Sequence, residues 1–234
     1  MKAGMIILAA IVVTSLGLEV AGQGMSPAAQ QKLAVVKESV SRNQAELRQY
    51  TWTEQIQISL DNEVRKTEHA LCHYGPDGKV QRTLLGSPGQ GKASRSILGR
   101  IEERAKDEVI DFLEQAKTLI HSYFPPSAQL MEKSVGRGNA SIGQTGPGTV
   151  QLQFDNYLKP GDSLAFDFEP ADRRIQKLNV NTYIDKSSEP LNLEVIFDSL
   201  PDGTNCPVIE ILNAPSRRLR VTVRNSNYQR LLAN

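Results

Sequence analysis

Histidine, cysteine and tryptophan are almost missing from this chain, whose 234 residues include three histidines, two cysteines and one tryptophan. So few histidines leave little material for a zinc site or a histidine-activated nucleophile. His69, Cys72 and His73 form the one tight group. On a strand the two histidines share a face but stand about 13 Å apart, too far for one ion, and Cys72 points away from them. A GxSxG nucleophile elbow is also missing. So is any charge excess: 27 Lys and Arg against 26 Asp and Glu leave a net charge of +1. That balance removes the electrostatic basis for binding nucleic acid or an anionic membrane. The local basic run Arg217, Arg218, Arg220 and Arg224 alternates with apolar residues and reads as a solvated strand face rather than a phosphate stripe. After residue 24 no apolar stretch reaches the roughly 20 residues that span a bilayer.

What is present begins with an address. Lys2 precedes an apolar run from Met5 to Leu18, which ends at Glu19, and Val20-Ala21-Gly22 then supplies small residues. This is the pattern of a secretory signal peptide over residues 1–24, removed before folding. The mature chain, 25–234, is expected as one soluble domain, periplasmic or secreted. In an oxidising compartment Cys72 and Cys206 pair or remain two buried thiols; their spacing leaves both options open.

Ser26-Pro27 marks a helix start. Ala29, Leu33, Val36, Val40 and Leu47 then recur at mostly helical steps, predicting one amphipathic helix over 27–49. From Tyr50 the period changes to two, with Trp52, Ile56, Ile58 and Leu60 on one face. Asp61-Asn62 turns the chain into a second strand that runs to about Tyr74. Gly75-Pro76-Asp77-Gly78 turns it into a third, Lys79 to Leu85. Residues 95–124 return to helical period and end at Pro125-Pro126. Residues 136–148 read as a surface loop or linker, with a weak glycosylation sequon at Asn139-Ala140-Ser141. Thr149 to Asn225 is almost all strand and turn. About nine strands, apolar on one face and joined mostly by short turns, predict antiparallel pairing. The fold class expected is α+β: a curved antiparallel sheet, an incomplete β-barrel, covered by two amphipathic helices.

Gly86-Ser87-Pro88-Gly89-Gln90-Gly91-Lys92 matches the GxxxxGK core of a phosphate-cradling loop. Ala93 stands where the magnesium-binding hydroxyl belongs, and the flanking sheet is not the parallel βαβ setting that loop serves. A plain glycine loop is the expectation. Asp167, Glu169 and Asp172 surround a turn as solvated charges, although a glycosidase-type pair needs only two carboxylates in space. No catalytic residue, metal or cofactor is assigned. The remaining candidate is binding. Trp52, Ile56, Ile58, Phe154, Phe166, Phe168 and Phe197 are either ordinary core or the lining of a cavity that the helices only partly close.

The order helix, hairpin from Tyr50-Thr51-Trp52-Thr53, helical insert and long antiparallel run resembles the LolA/LolB-type lipoprotein-carrier superfamily. Leu191-Asn192-Leu193-Glu194-Val195, then Val208-Ile209-Glu210-Ile211, then Arg218 to Val223 is similar to the closing succession of outer-membrane lipoprotein-sorting relatives. The resemblance implies a half-barrel whose apolar cavity holds acyl chains, and hence a non-enzymatic partner of lipid or lipoprotein. The runner-up from another class is a cell-envelope interaction or scaffold protein with a filled core.

Overall fold

The computed structural model describes residues 27–86, 103–123 and 126–231. The leader, Ser26, residues 87–92 of the GxxxxGK stretch and the first part of the 95–124 helix lie outside the described residues. Helix α1 (Pro27–Leu47) leads into β1 (Tyr50–Leu60), β2 (Glu63–Tyr74) and β3 (Val80–Leu84). Two helices follow, α2 (Glu103–His121) and α3 (Ala128–Gly136). Seven strands complete the chain: β4 (Ala140–Gly146), β5 (Thr149–Asp155), β6 (Ser163–Glu169), β7 (Arg174–Tyr183), β8 (Pro190–Ser199), β9 (Asn205–Ala214) and β10 (Leu219–Arg230).

All ten strands belong to one antiparallel sheet in the order β3-β2-β1-β10-β9-β8-β7-β6-β5-β4. The sheet is open, with β3 and β4 as its two edges. Between β3 and β4 the chain passes from one edge to the other through the helices. The last strand pairs with the first, Ile56 opposite Val223 and Ile58 opposite Val221, which ties the N-terminal hairpin to the C-terminal meander.

Three expectations change. Helix α3 adds a third helix to the two predicted. The preceding helix ends at His121 and Ser127 caps the next, its hydroxyl accepting from the Leu130 amide at 3.3 Å. Met131 and Val135, four residues apart, bury its inner side. The loop expected over 136–148 contains β4, so the sheet has ten strands rather than nine. β4 reads ASIGQTG, with no alternation and two glycines. Its strand form comes from backbone bonding to β5, with Ala140 opposite Phe154 and Ile142 opposite Leu152. The third change concerns the insert, whose described helix ends at His121, short of residue 124.

The apolar face lies against the helices. Val36 of α1, Leu113, Ala116 and Ile120 of α2, and Met131 and Val135 of α3 share one core cluster with inward residues of β1 and β5–β10. Burying each large side chain there stabilises the fold by about 1.5–3 kcal/mol. No described helix is long and apolar enough to cross a membrane.

Candidate functional site on the sheet faces

Register decides which side chains share the inner face. Phe154 sits between Ala140 and Leu164, and Phe166 between Leu152 and Leu178. Ile56, Ile58, Phe154, Phe166 and Phe168 are buried in the main cluster, with Phe197 half-buried against it. Trp52 is apart from them. It belongs to a second cluster with Ala70, Cys72 and Val80. There it stacks on Tyr228 at 5.8 Å and leans on Tyr74 at 5.4 Å. Both cysteines are buried free thiols, so the disulfide option closes. His69 and His73 lie on the outer face, opposite Gln55 and Gln81.

On that same apolar face is a polar cluster that strand periodicity alone does not announce. Glu54 lies two residues from Trp52 and two from Ile56, opposite Ala70 on one side and Asn225 on the other. Arg82 of β3 donates to Glu54 Oε1 at 2.6 Å, with both side chains nearly enclosed. One strand beyond Asn225, Glu210 is 3 % exposed. Asn225 Nδ2 donates to its Oε1 at 3.3 Å, while Glu210 Oε2 and Asn225 Oδ1 have no hydrogen-bond partner among the described residues. Burial pushes the Glu210 carboxyl well above the usual range, the Glu54 charge adds to this, and the Asn225 bond opposes it. Burial also raises Glu54, with Arg82 pulling the other way. Arg82 reaches Glu54, whereas the side chain bonded to Glu210 is the neutral Asn225, so Glu210 is the carboxyl that favours keeping its proton. The sequence signals two of the three: Glu54 and Asn225 occupy the apolar phase of alternating strands, whereas Glu210 lies between Ile209 and Ile211 and reads as a polar position.

A second buried network anchors the end of α2. Tyr123, just past that helix, donates its hydroxyl to Asp162 Oδ2 at 2.5 Å and lies 2.6 Å from Thr182 Oγ1. The same carboxylate oxygen accepts the Leu158 and Lys159 amides, each at 3.0 Å. Burial and then the Asp162 bond push the Tyr123 hydroxyl far above its usual range. This is a fastening between helix and sheet, with each partner fully enclosed.

The outer face carries a surface cleft with a largely polar lining. That cleft, about 680 Å³, is lined by Ser59, Asp61, Asn62, Asn213, Arg218 and Arg220 together with Pro215 and Leu219. Ser59, Arg220 and Asn213 are in register on β1, β10 and β9. The row continues through Asn192 of β8, Asn181 of β7 and Ser163 of β6. At the mouth, Asp61, Asn62 and Arg218 all hold left-handed backbone, with φ of 54°, 63° and 49°. Asn and Asp tolerate this conformation; for Arg it costs about 1 kcal/mol. The Arg218–Asp61 ion pair, 3.0 Å and solvent-exposed, offsets only about 0.2–1 kcal/mol of that. A smaller cleft of about 250 Å³ lies between α2 and the β7–β8 turn. Four of its nine lining residues are acidic, and Arg217 stacks 4.4 Å over Phe112. None of the seven apolar candidates lines either cleft. Among the described residues no group of three His, Cys, Asp or Glu side chains is arranged to hold a metal ion.

No protein-family profile matches the chain, and no curated protein matches it. Among solved structures it is similar to a DUF1329 family protein from Desulfovibrio piger. That alignment covers 86% of this chain and 93% of the other, at 10% identity and a TM-score of 0.39. A likeness that loose carries no functional argument, and the chain's own geometry must supply one.

Proposed function

We propose that this chain is an exported, non-enzymatic binding protein that holds acyl chains of lipid or lipoprotein against the inner face of its sheet. The observation that carries the reading is an open ten-stranded sheet whose inner face is largely apolar and is covered by helices rather than by a second sheet. In an open sheet the helical cover is held mainly by side-chain packing, so an acyl chain has one layer to displace. The apolar face of α2, which contributes Leu113, Ala116 and Ile120, is chemically what an acyl chain would replace. The likeness of strand succession to LolA/LolB-type carriers points the same way.

A second reading is a cell-envelope interaction protein with a filled core. It is favoured by the packing of six of the seven candidate residues, all buried against neighbouring side chains, and by the polar lining of both clefts. Delipidated mature protein titrated with a fluorescent fatty acid and with an acylated peptide separates the two. Saturable uptake, and co-purified lipid in native mass spectra of protein from its host, support the carrier reading. Absence of uptake by both probes leaves the scaffold.

A further inference from the structure

The outer-face cleft is independent of whatever lies under the helices. Arg220 stands exposed between Ser59 and Asn213, and no hydrogen bond or ion pair of its side chain appears among the described residues. Arg218 reaches across the mouth to Asp61 from a backbone conformation that glycine would occupy without strain. Two guanidinium groups against one carboxylate give the cleft a positive balance. Its other polar residues, Ser59, Asn62 and Asn213, carry neutral donor and acceptor groups. Hydroxyl and amide side chains then continue strand by strand through Asn192, Asn181 and Ser163. They recur at about 4.8 Å, the strand spacing, so each strand offers one hydroxyl or amide group along the row.

We propose that this cleft and its row form a binding site for an anionic sugar. The sugar's carboxylate or phosphate is held by Arg218 and Arg220, and its hydroxyls by the Ser59–Asn213–Asn192 row. The guanidinium forks recognise the oxyanion, and the amides exchange hydrogen bonds with the ring hydroxyls. This gives a reason for an arginine at the left-handed position 218 beyond the exposed ion pair, which offsets the backbone strain only in part.

The test is calorimetric titration of the full chain, at low salt, with trigalacturonic acid, mannose 6-phosphate, maltotriose and inorganic phosphate. Saturable binding of either acidic sugar is expected, with maltotriose and inorganic phosphate at least tenfold weaker. Which acidic sugar binds identifies the oxyanion. Arg220→Gln should weaken binding at least tenfold at unchanged Tm. Arg218→Gly should weaken it while Tm holds or rises, since glycine removes the backbone strain. A purely structural Arg218 gives the opposite, a falling Tm with no change in affinity. The proposal is overturned if neither acidic sugar binds or if Arg220→Gln binds as the parent does. It also falls if maltotriose or inorganic phosphate matches the acidic sugars, or if anionic vesicles compete fully and so mark a membrane surface instead.

Discussion

Asn225 donates its side-chain amide to Glu210 across the β10–β9 pair at 3.3 Å, and the second carboxyl oxygen of Glu210 has no partner among the described residues. An ionised carboxylate held that way is costly, whereas a protonated one is not.

Glu210 therefore makes stability depend on pH with a defined sign. Its unfolded value is about 4.3, and burial raises the folded one well above the usual carboxyl range. The native state keeps a proton that the unfolded chain has lost, so this group's contribution is full below about pH 4.3. It is lost as pH rises toward the folded pKa. Glu210→Gln should be close to the parent at pH 4 and more stable at pH 8, by about 3 °C or more in Tm. A Tm difference that does not change with pH would sink the assignment.

Arg82 is the counterion of an enclosed Glu54. Arg82→Met leaves that carboxylate without its counterion and should cost about 3–5 kcal/mol. The double variant Glu54→Gln/Arg82→Met should recover most of the loss, because both charges then leave the interior together. Urea unfolding of the four species of the cycle measures it. A double variant no better than Arg82→Met contradicts the charge argument and leaves lost packing as the cause.

Tyr123 and Asp162 fasten α2 to the sheet through a 2.5 Å bond. Tyr123→Phe keeps the ring packing and removes only the hydroxyl, so a loss of about 1–3 kcal/mol is expected. Hydrogen exchange should show the α2 amides opening more easily, while those of β1 and β10 keep their protection relative to global stability. Uniform loss across the sheet would show that the bond supports the whole core rather than the helix contact.

Cys72 and Cys206 are buried free thiols, each pushed up to about 12 by burial first. Iodoacetamide at pH 8 should label neither in native protein and both in urea, and reductant should leave Tm unchanged. Mass spectrometry after alkylation reads the result. A disulfide-sized mass deficit would contradict the thiol assignment.

Much of this fold was legible because its strands are amphipathic in a strict period of two. Trp52, Ile56 and Ile58, and later Leu219, Val221 and Val223, announce both a strand and its buried face without reference to any partner. β4 and α3 were not legible in that way. Ala140–Gly146 has no apolar phase and becomes a strand only because β5 offers an edge of unpaired backbone. Ala128–Gly136 is too short for its periodicity to stand out after two prolines. The apolar candidates were found by the same alternation that found the strands. The buried carboxyl cluster was marked in the sequence only by Glu54 and Asn225, which interrupt that alternation, while Glu210, between Ile209 and Ile211, was not marked at all.

Local sequence, then, determined by itself which residues face inward, because strand and helix periods are properties of neighbours along the chain. Only the tertiary structure decided which inward residues meet. Glu54 reaches Arg82 and stands beside Asn225, and Asn225 reaches Glu210, because β3, β2, β1, β10 and β9 pair in that order. Ser59, Arg220 and Asn213 line one cleft for the same reason. The β1–β10 pairing among them joins segments more than a hundred residues apart, and the free energy that selects it comes from closing the whole apolar face at once rather than from any local preference.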